Sequence, residues 1–406
     1  MRWLTEDLPG TGGRYKETPE DFQVEEIPLY PCSGSGEHLY LWVEKAGITT
    51  RNLLAQLARG LRIKEREIGY AGLKDARALT RQMVSVSGVT PEQVKQLELE
   101  KAQILAINRH GNKLRLGHLA GNRFTIRLRD THPEAAEQAT AILNRLQQQG
   151  VPNLFGEQRY GILGNSARLG RLLLQHNYGE FCRELLGDPG QIRNPAWQAA
   201  AICFRAGDLE GALAQLPGRM RDERRMVHQL LAGKPESRAV LDLPRNLLRL
   251  FLSAAQSELF DLLLRERLPH LGLLEDGDVA IKHANGACFR VTAAAEEQPR
   301  ADAFEISPTA PLYGKKVMRS EGEPGEREME MLKKSGIELE DWEPGPGLAM
   351  PGERRALRVP LADTQLPTVE DGNLTLSFIL PKGSYATSVL DEVMKCANSE
   401  DAAVSS

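Results

Sequence analysis

The residues best suited to chemistry sit in short, turn-like motifs in the first part of the chain. GLKDAR at 72–77 places Asp75 between two apolar, strand-like pieces, where a glycine-bearing turn at a sheet edge is expected. This hexapeptide leaves two readings open. Asp75 bonds local backbone amides of its own turn, or it is a nucleophilic or electrostatic carboxylate kept ionised by a nearby cation. The PEDF run at 19–22 is equally open: Lys16, three residues upstream, suits a solvated surface, and Phe22 suits an inward strand position. In GNRF at 121–124, Asn122 fits a turn and Phe124 a core position. NLFGEQRYG at 153–161 mixes aromatics with Gln158 and Arg159, a composition able to stack on bases and hold phosphates.

Other chemistries lack their residue patterns. The five cysteines (Cys32, Cys182, Cys203, Cys288 and Cys396) are odd in number, far apart and never in a C-x-x-C pair. Neither a disulfide framework nor a cysteine zinc site is expected from them. No H-x-x-x-H places two histidines on one helical face. His132-Pro133-Glu134 has the spacing of a zinc deaminase, but no P-C-x-x-C accompanies it, so no metal is expected. There is no G-x-x-x-x-G-K-[ST] loop for nucleotide phosphates and no convincing glycine-rich loop for a methyltransferase cofactor. No apolar run approaches bilayer length, and MRWLTEDLPGTGG carries acids where a signal peptide is apolar. A cytoplasmic protein is expected.

The net charge of −4 taken alone argues against a dedicated nucleic-acid binder, but the charge is unevenly spread. The segment from Asn108 to Arg129 carries Arg109, Lys113, Arg115, Arg123, Arg127 and Arg129 and no acid, and residues 51–81 are also basic. A polyanion is drawn to such stretches, because Lys and Arg neutralise phosphates. The other reading is a solvated surface.

The elements that must position these residues follow from periodicity. Residues 21–28 and 38–44 read as strands, and TTRNLLAQLARGL as a helix capped by Thr49 or Thr50, with Leu53, Leu54, Leu57, Ala58 and Leu61 in one stripe. A strand begins at Ile68, is interrupted by GLKDAR and resumes at TRQMVSV; residues 114–116 and 124–128 read as two more strands. Thr90-Pro91-Glu92-Gln93 starts a short helix, and another runs from Pro133 until Gly150 stops it. Residues 166–268 are mostly helical in pattern, short strands return after 273, and 320–351 reads as a Gly-, Pro- and Glu-rich connection. The segment from Asn373 to Met394 reads as strand, tight turn and helix, and the tail 396–406 as disordered. Strands and helices mix without strict alternation, so an α+β fold is expected rather than a doubly wound sheet.

The motifs taken together say more than each alone. K-x-x-PEDF-x-V-x-E, GLKD-x-x-A-x-T-x-Q, KLRLG-x-L-x-GNRF, PN-x-FG-x-QR-x-G and F-x-LP-x-GSYATSVLDE occur in this order, joined by LSAAQSELF and SPTAPLYG. The set, running from about Lys16 to Met394, closely resembles the TruD family of tRNA pseudouridine synthases. The resemblance implies a pseudouridine synthase fold, a mostly antiparallel mixed sheet with flanking helices. Its catalytic domain comprises residues 1–152 and 354–395, interrupted by a TruD-type insertion at 153–353. RNA is then expected between the two. A helical stretch of about 182–245 is longer than in shorter members and leaves the substrate range open.

The same resemblance implies isomerisation of uridine to pseudouridine in tRNA, at uridine 13 of the D-arm, needing no cofactor, metal or nucleotide; a monomer is expected, though the sequence leaves the oligomeric state open. Asp75 matches the catalytic aspartate and Lys16 the basic residue that pairs with it. Phe22 and Phe124 match aromatic positions lining the uracil pocket, and Asn122 an asparagine holding the aspartate or the base edge. Arg109, Lys113, Arg115, Arg123 and Arg159 are the candidate RNA contacts. The alternative is a catalytically inactive RNA-binding or tRNA-folding protein of the same fold.

Overall fold

Alternating apolar residues build the sheet that carries the site. In the strand His38–Ala46, Leu39, Leu41 and Val43 share one face, and Val84 and Val86 of Leu79–Ser87 join them through antiparallel pairing. The helix Thr50–Leu61 lays Leu53, Leu54, Leu57, Ala58 and Leu61 on this face, all buried. Full burial of each leucine side chain stabilises the packing by roughly 1.5–3 kcal/mol. Thr49 caps the helix, its side chain accepting from the Asn52 amide at 3.1 Å. The αL residue Arg62 ends it.

The computed structural model describes residues 2–396, apart from the side chains of Glu157 and Gln158. The tail expected to be disordered lies outside the described residues except for Cys396. The chain divides into two compact units, one of residues 2–151 and 359–396, the other of residues 152–358.

Among the described residues of the first unit, nine strands form a mixed sheet. From one edge to the other the order is Thr368–Glu370, Asn373–Pro381, Leu119–Thr131, Phe22–Pro28, Leu79–Ser87, His38–Ala46 and Ala102–His110. Gly12–Arg14 pairs with Leu119–Thr131, and Gly69–Tyr70 with Leu79–Ser87. Only Phe22–Pro28 and Leu79–Ser87 run parallel; the other pairs are antiparallel. A parallel pair needs a long crossover, and here the strand His38–Ala46 and the helix Thr50–Leu61 occupy it. The GLKDAR turn lies at the end of that crossover. The C-terminal helix Ala386–Met394 ties down the start of the chain: Glu392 accepts from the Leu4 and Thr5 amides at 2.8 and 3.0 Å.

The second unit is helical from Ser166–Leu174 to the 23-residue helix Arg245–Arg267. Five helices lie between them: Tyr178–Leu186, Pro195–Arg205, Leu209–Gln215, Arg221–Leu231 and Glu236–Leu241. Four antiparallel strands follow in the order Cys288–Arg290, Val279–Lys282, Ile306–Leu312 and Glu353–Ala356.

The α+β expectation holds, but two local expectations do not. Residues 114–116 form no strand; the Leu114 amide donates to Ser85 Oγ at 3.0 Å and the Gly117 amide to the Ala71 carbonyl at 2.8 Å, which pins them as a turn. The strand there is Ala102–His110, an edge strand whose Ala102, Ile104 and Ile107 lie half-buried against the core, and a register shift between Ile104 and Ala106 breaks the simple alternation of its sequence. The segment 320–351 contains the helix Gly322–Lys334. Its proline and both glycines fall at the helix start, where a missing amide costs nothing, and Met331 and Leu332 bury the far end.

Candidate active site

The GLKDAR turn is held at two points on either side of the Asp75 carboxyl. The Lys74 amide donates to Thr50 Oγ1 at 2.9 Å, and Thr50 in turn donates to Gln82 Oε1 at 2.9 Å. The Asp75 carbonyl accepts from Lys45 Nζ at 2.8 Å, and the same ammonium donates to the Ile48 carbonyl at 2.7 Å. Lys45 continues the Leu39, Leu41, Val43 register and is buried. Burial pushes its pKa down to about 8, and the neighbouring Lys74 charge pushes the same way, although Asp75 opposes both.

The Asp75 side chain bonds an amide of its own turn and also faces a cation. Oδ1 accepts from the Arg77 amide at 3.1 Å, as a turn aspartate does, and Oδ2 lies 2.6 Å from Lys16 Nζ. Burial works against the ionised carboxyl. The Lys16 hydrogen bond and charge, with the amides of Arg77 and Ala76, outweigh it and hold the pKa below the usual carboxylate value. The two side chains keep 28 and 18 % of their surface open, so the carboxylate is reachable as well as charged. Lys16 itself stands at φ 64°, a left-handed conformation that an ordinary side chain adopts only when its surroundings enforce it.

Aromatic rings line the lysine side of the pair. Lys16 Nζ sits 4.3 Å from the Phe22 ring centroid and 5.8 Å from that of Tyr15. Phe22 meets Phe124 edge to face at 6.1 Å, and Phe124 meets Phe378 at 5.7 Å. The register explains this: Val24 and Phe378 flank Phe124 on adjacent strands, and Phe22 lies two residues from Val24 on the same face. Both Phe22 and Phe124 are buried, with little ring surface left open.

Asn122 does not hold Asp75. Its Oδ1 accepts from Lys74 Nζ at 2.7 Å, and Lys74 Nζ also lies 3.0 Å from Glu26 Oε2. That second contact is an ion pair without hydrogen-bond geometry. Burial raises the Glu26 pKa against the pull of Lys74 and of the Met83 amide.

The structure thus sets Lys16 against both Asp75 and Phe22, continues the aromatic row to Phe124, and sets Asn122 against the residue preceding Asp75. Lys45, Lys74 and Glu26 were missed by sequence reasoning. A signal existed: Glu26 follows Phe22 and Val24, and Lys45 follows Leu41 and Val43, at inward positions of strands where a charge must have a buried partner.

The basic candidates are dispersed. Arg109 and Arg115 are exposed; Arg109 donates to the Gly36 carbonyl at 3.0 Å, and half-buried Lys113 to that of Arg66 at 2.5 Å. Arg123 is paired with Asp363 at 2.5 Å. Arg159 lies in the 152–358 unit and donates to Ser257 Oγ at 3.0 Å and to Ser253 Oγ. Among the described residues no group of three or more His, Cys, Asp or Glu forms a metal-binding cluster, and no helix is long and apolar enough to cross a membrane.

A mixed sheet with flanking helices, presenting a lysine-paired carboxylate on a crossover turn, defines an α+β protein with a carboxylate-centred site. A family model described as tRNA pseudouridine synthase D (TruD) matches residues 1–393. The tRNA pseudouridine synthase D of Syntrophotalea carbinolica is 55% identical over 394 residues, covering 97% of this chain and 98% of its own. That of Geobacter sulfurreducens is 51% identical over 396 residues, covering 97% of each chain. A crystal structure of a candidate tRNA pseudouridine synthase D (TruD) from Methanosarcina mazei superposes with a TM-score of 0.82 at 29% identity, covering 96% of this chain and 95% of that one. The chain belongs to the TruD family of tRNA pseudouridine synthases.

Proposed function

We propose that this protein isomerises uridine to pseudouridine in tRNA, at uridine 13 of the D-arm, with Asp75 as the nucleophile. The observation that carries the reading is the half-open Asp75 carboxylate, held ionised by Lys16 at 2.6 Å beside an aromatic row. The reaction breaks the N1–C1′ bond and joins C5 to C1′; the C5 proton leaves to solvent and N1 regains one, so the product is an isomer. It calls for a charged carboxylate, a cation that keeps it charged, and walls that hold a base extruded from its stack. Asp75, Lys16 and the edges of Phe22 and Phe124 meet these needs. Asn122 faces the base edge. Residues 153–353 act as the family insertion, and Arg109, Lys113 and Arg115 contribute phosphate contacts.

The test is tritium release from unmodified tRNA labelled at uracil C5, without added cofactor. Release is expected from the wild-type protein. Asp75→Asn should abolish it while tRNA binding stays within a few-fold. If the wild-type protein releases no tritium from any tRNA pool yet binds tRNA, the inactive RNA-binding alternative takes its place. Turnover retained in Asp75→Asn removes the nucleophile role.

A further inference from the structure

Resting on that reading, we infer that Lys74 and Glu26 are positioning residues that fix the Asn122 carboxamide with its NH2 turned to the base, making the site accept a ring carbonyl at C4 and refuse a ring amine. An ammonium has three donors and no acceptor, so the Asn122 atom 2.7 Å from Lys74 Nζ is the carboxamide oxygen. The nitrogen is then on the opposite branch, and among the described residues it meets no acceptor. Lys74 cannot turn away. Its side chain is 6 % exposed, its ammonium is 3.0 Å from Glu26 Oε2, and its own amide is bound to Thr50 Oγ1 at 2.9 Å. Glu26 is itself held by the Met83 amide at 3.2 Å and stands opposite Asn122 in the strand register.

The chemistry follows from the fixed polarity. A carboxamide free to flip offers either its donor or its acceptor and reads uracil and cytosine alike. One whose oxygen is held against an ammonium turns its N–H to the other side. Uracil answers at C4 with a carbonyl; cytosine presents an amine there, and two donors are left facing each other. The carbonyl at C2 is common to both bases, so the discrimination falls on C4. Because Lys74 precedes Asp75 in the chain, the residue that sets the reading polarity and the nucleophile ride on the same anchored turn.

The test uses full-length protein, single-turnover tritium release, and tRNA carrying uridine, 2-thiouridine or 4-thiouridine at the target, since sulfur accepts a hydrogen bond poorly. Lys74→Met combined with Glu26→Leu removes both charges together, so neither is stranded in the interior. The rate with uridine should fall by about 10- to 100-fold, as loss of a residue orienting a reactive group does, with tRNA binding within a few-fold. Adding Asn122→Ala to this pair should cost no more. The 4-thio substitution should slow the wild-type protein and leave Asn122→Ala and the paired variant indifferent; the 2-thio substitution should not distinguish them. Additive losses for the pair and Asn122→Ala would overturn the inference, as would undiminished 4-thio sensitivity in Asn122→Ala, which needs no change to the buried pair. Absence of release from uridine by the wild-type protein would instead remove the activity itself.

Discussion

Replacing Lys16 by methionine removes the cation from Asp75 while keeping an aliphatic stem over Phe22. In the native site burial raises the Asp75 pKa, and the Lys16 charge and hydrogen bond are the largest forces bringing it down. An opposite charge at this range lowers a carboxyl pKa by about 1–3 units. That is about 1.4–4 kcal/mol between the two protonation states. The amides of Arg77 and Ala76 remain in the variant and offset part of the burial. The reactive form is the carboxylate, so the rate falls as pH drops through the Asp75 pKa. In Lys16→Met the acid limb of the single-turnover rate should therefore move upward by about 1–3 pH units. Stability has the same sign: a carboxyl with a depressed native pKa stabilises the fold above its unfolded pKa, and this contribution is lost as pH falls through the native one. The urea stability of wild-type and variant should differ at neutral pH and converge in acid. An acid limb that does not move, in a variant that still binds tRNA, would refute the assignment of Lys16 as the group that keeps Asp75 charged.

Three further outcomes are expected. Leu57→Ala, beneath the strands that carry Lys45, should cost about 2–5 kcal/mol and lower the urea midpoint; a change under 1 kcal/mol would contradict the packing described. The depressed Lys45 pKa means that the unfolded chain binds a proton the folded one has released, so this group adds stability as pH rises from about 8 towards the ordinary lysine range. Lys45→Met should remove that rise and also slow turnover, since it frees the Asp75 carbonyl; an unchanged alkaline stability profile would contradict this account. The affinity for tRNA should fall steeply with salt, and Arg115→Ala should reduce the slope of log affinity against log salt by about one; an unchanged slope would place Arg115 away from the RNA.

Local pattern carried much of the architecture. The apolar stripe of Thr50–Leu61 and the alternation of His38–Ala46 and Leu79–Ser87 are readable because periodicity and burial coincide there. Ala102–His110 escaped because the register shift between Ile104 and Ala106 puts its half-buried residues Ala102, Ile104 and Ile107 out of a strict period of two. Gly322–Lys334 escaped because its helix-breaking residues lie in the first turn, where they break nothing.

The candidate site divides in the same way. By itself the sequence determined that Asp75 stands in a turn and that Phe22 and Phe124 face inward, properties set by neighbours a few residues away. The family resemblance implied that Lys16, 59 residues from Asp75, pairs with it; only the tertiary structure decided that it faces Oδ2, and that Lys74 takes the oxygen of Asn122 across 48 residues. Coulomb energy and hydrogen bonding depend on separations of a few ångströms, and those separations are set by sheet order and register, which no local spacing encodes.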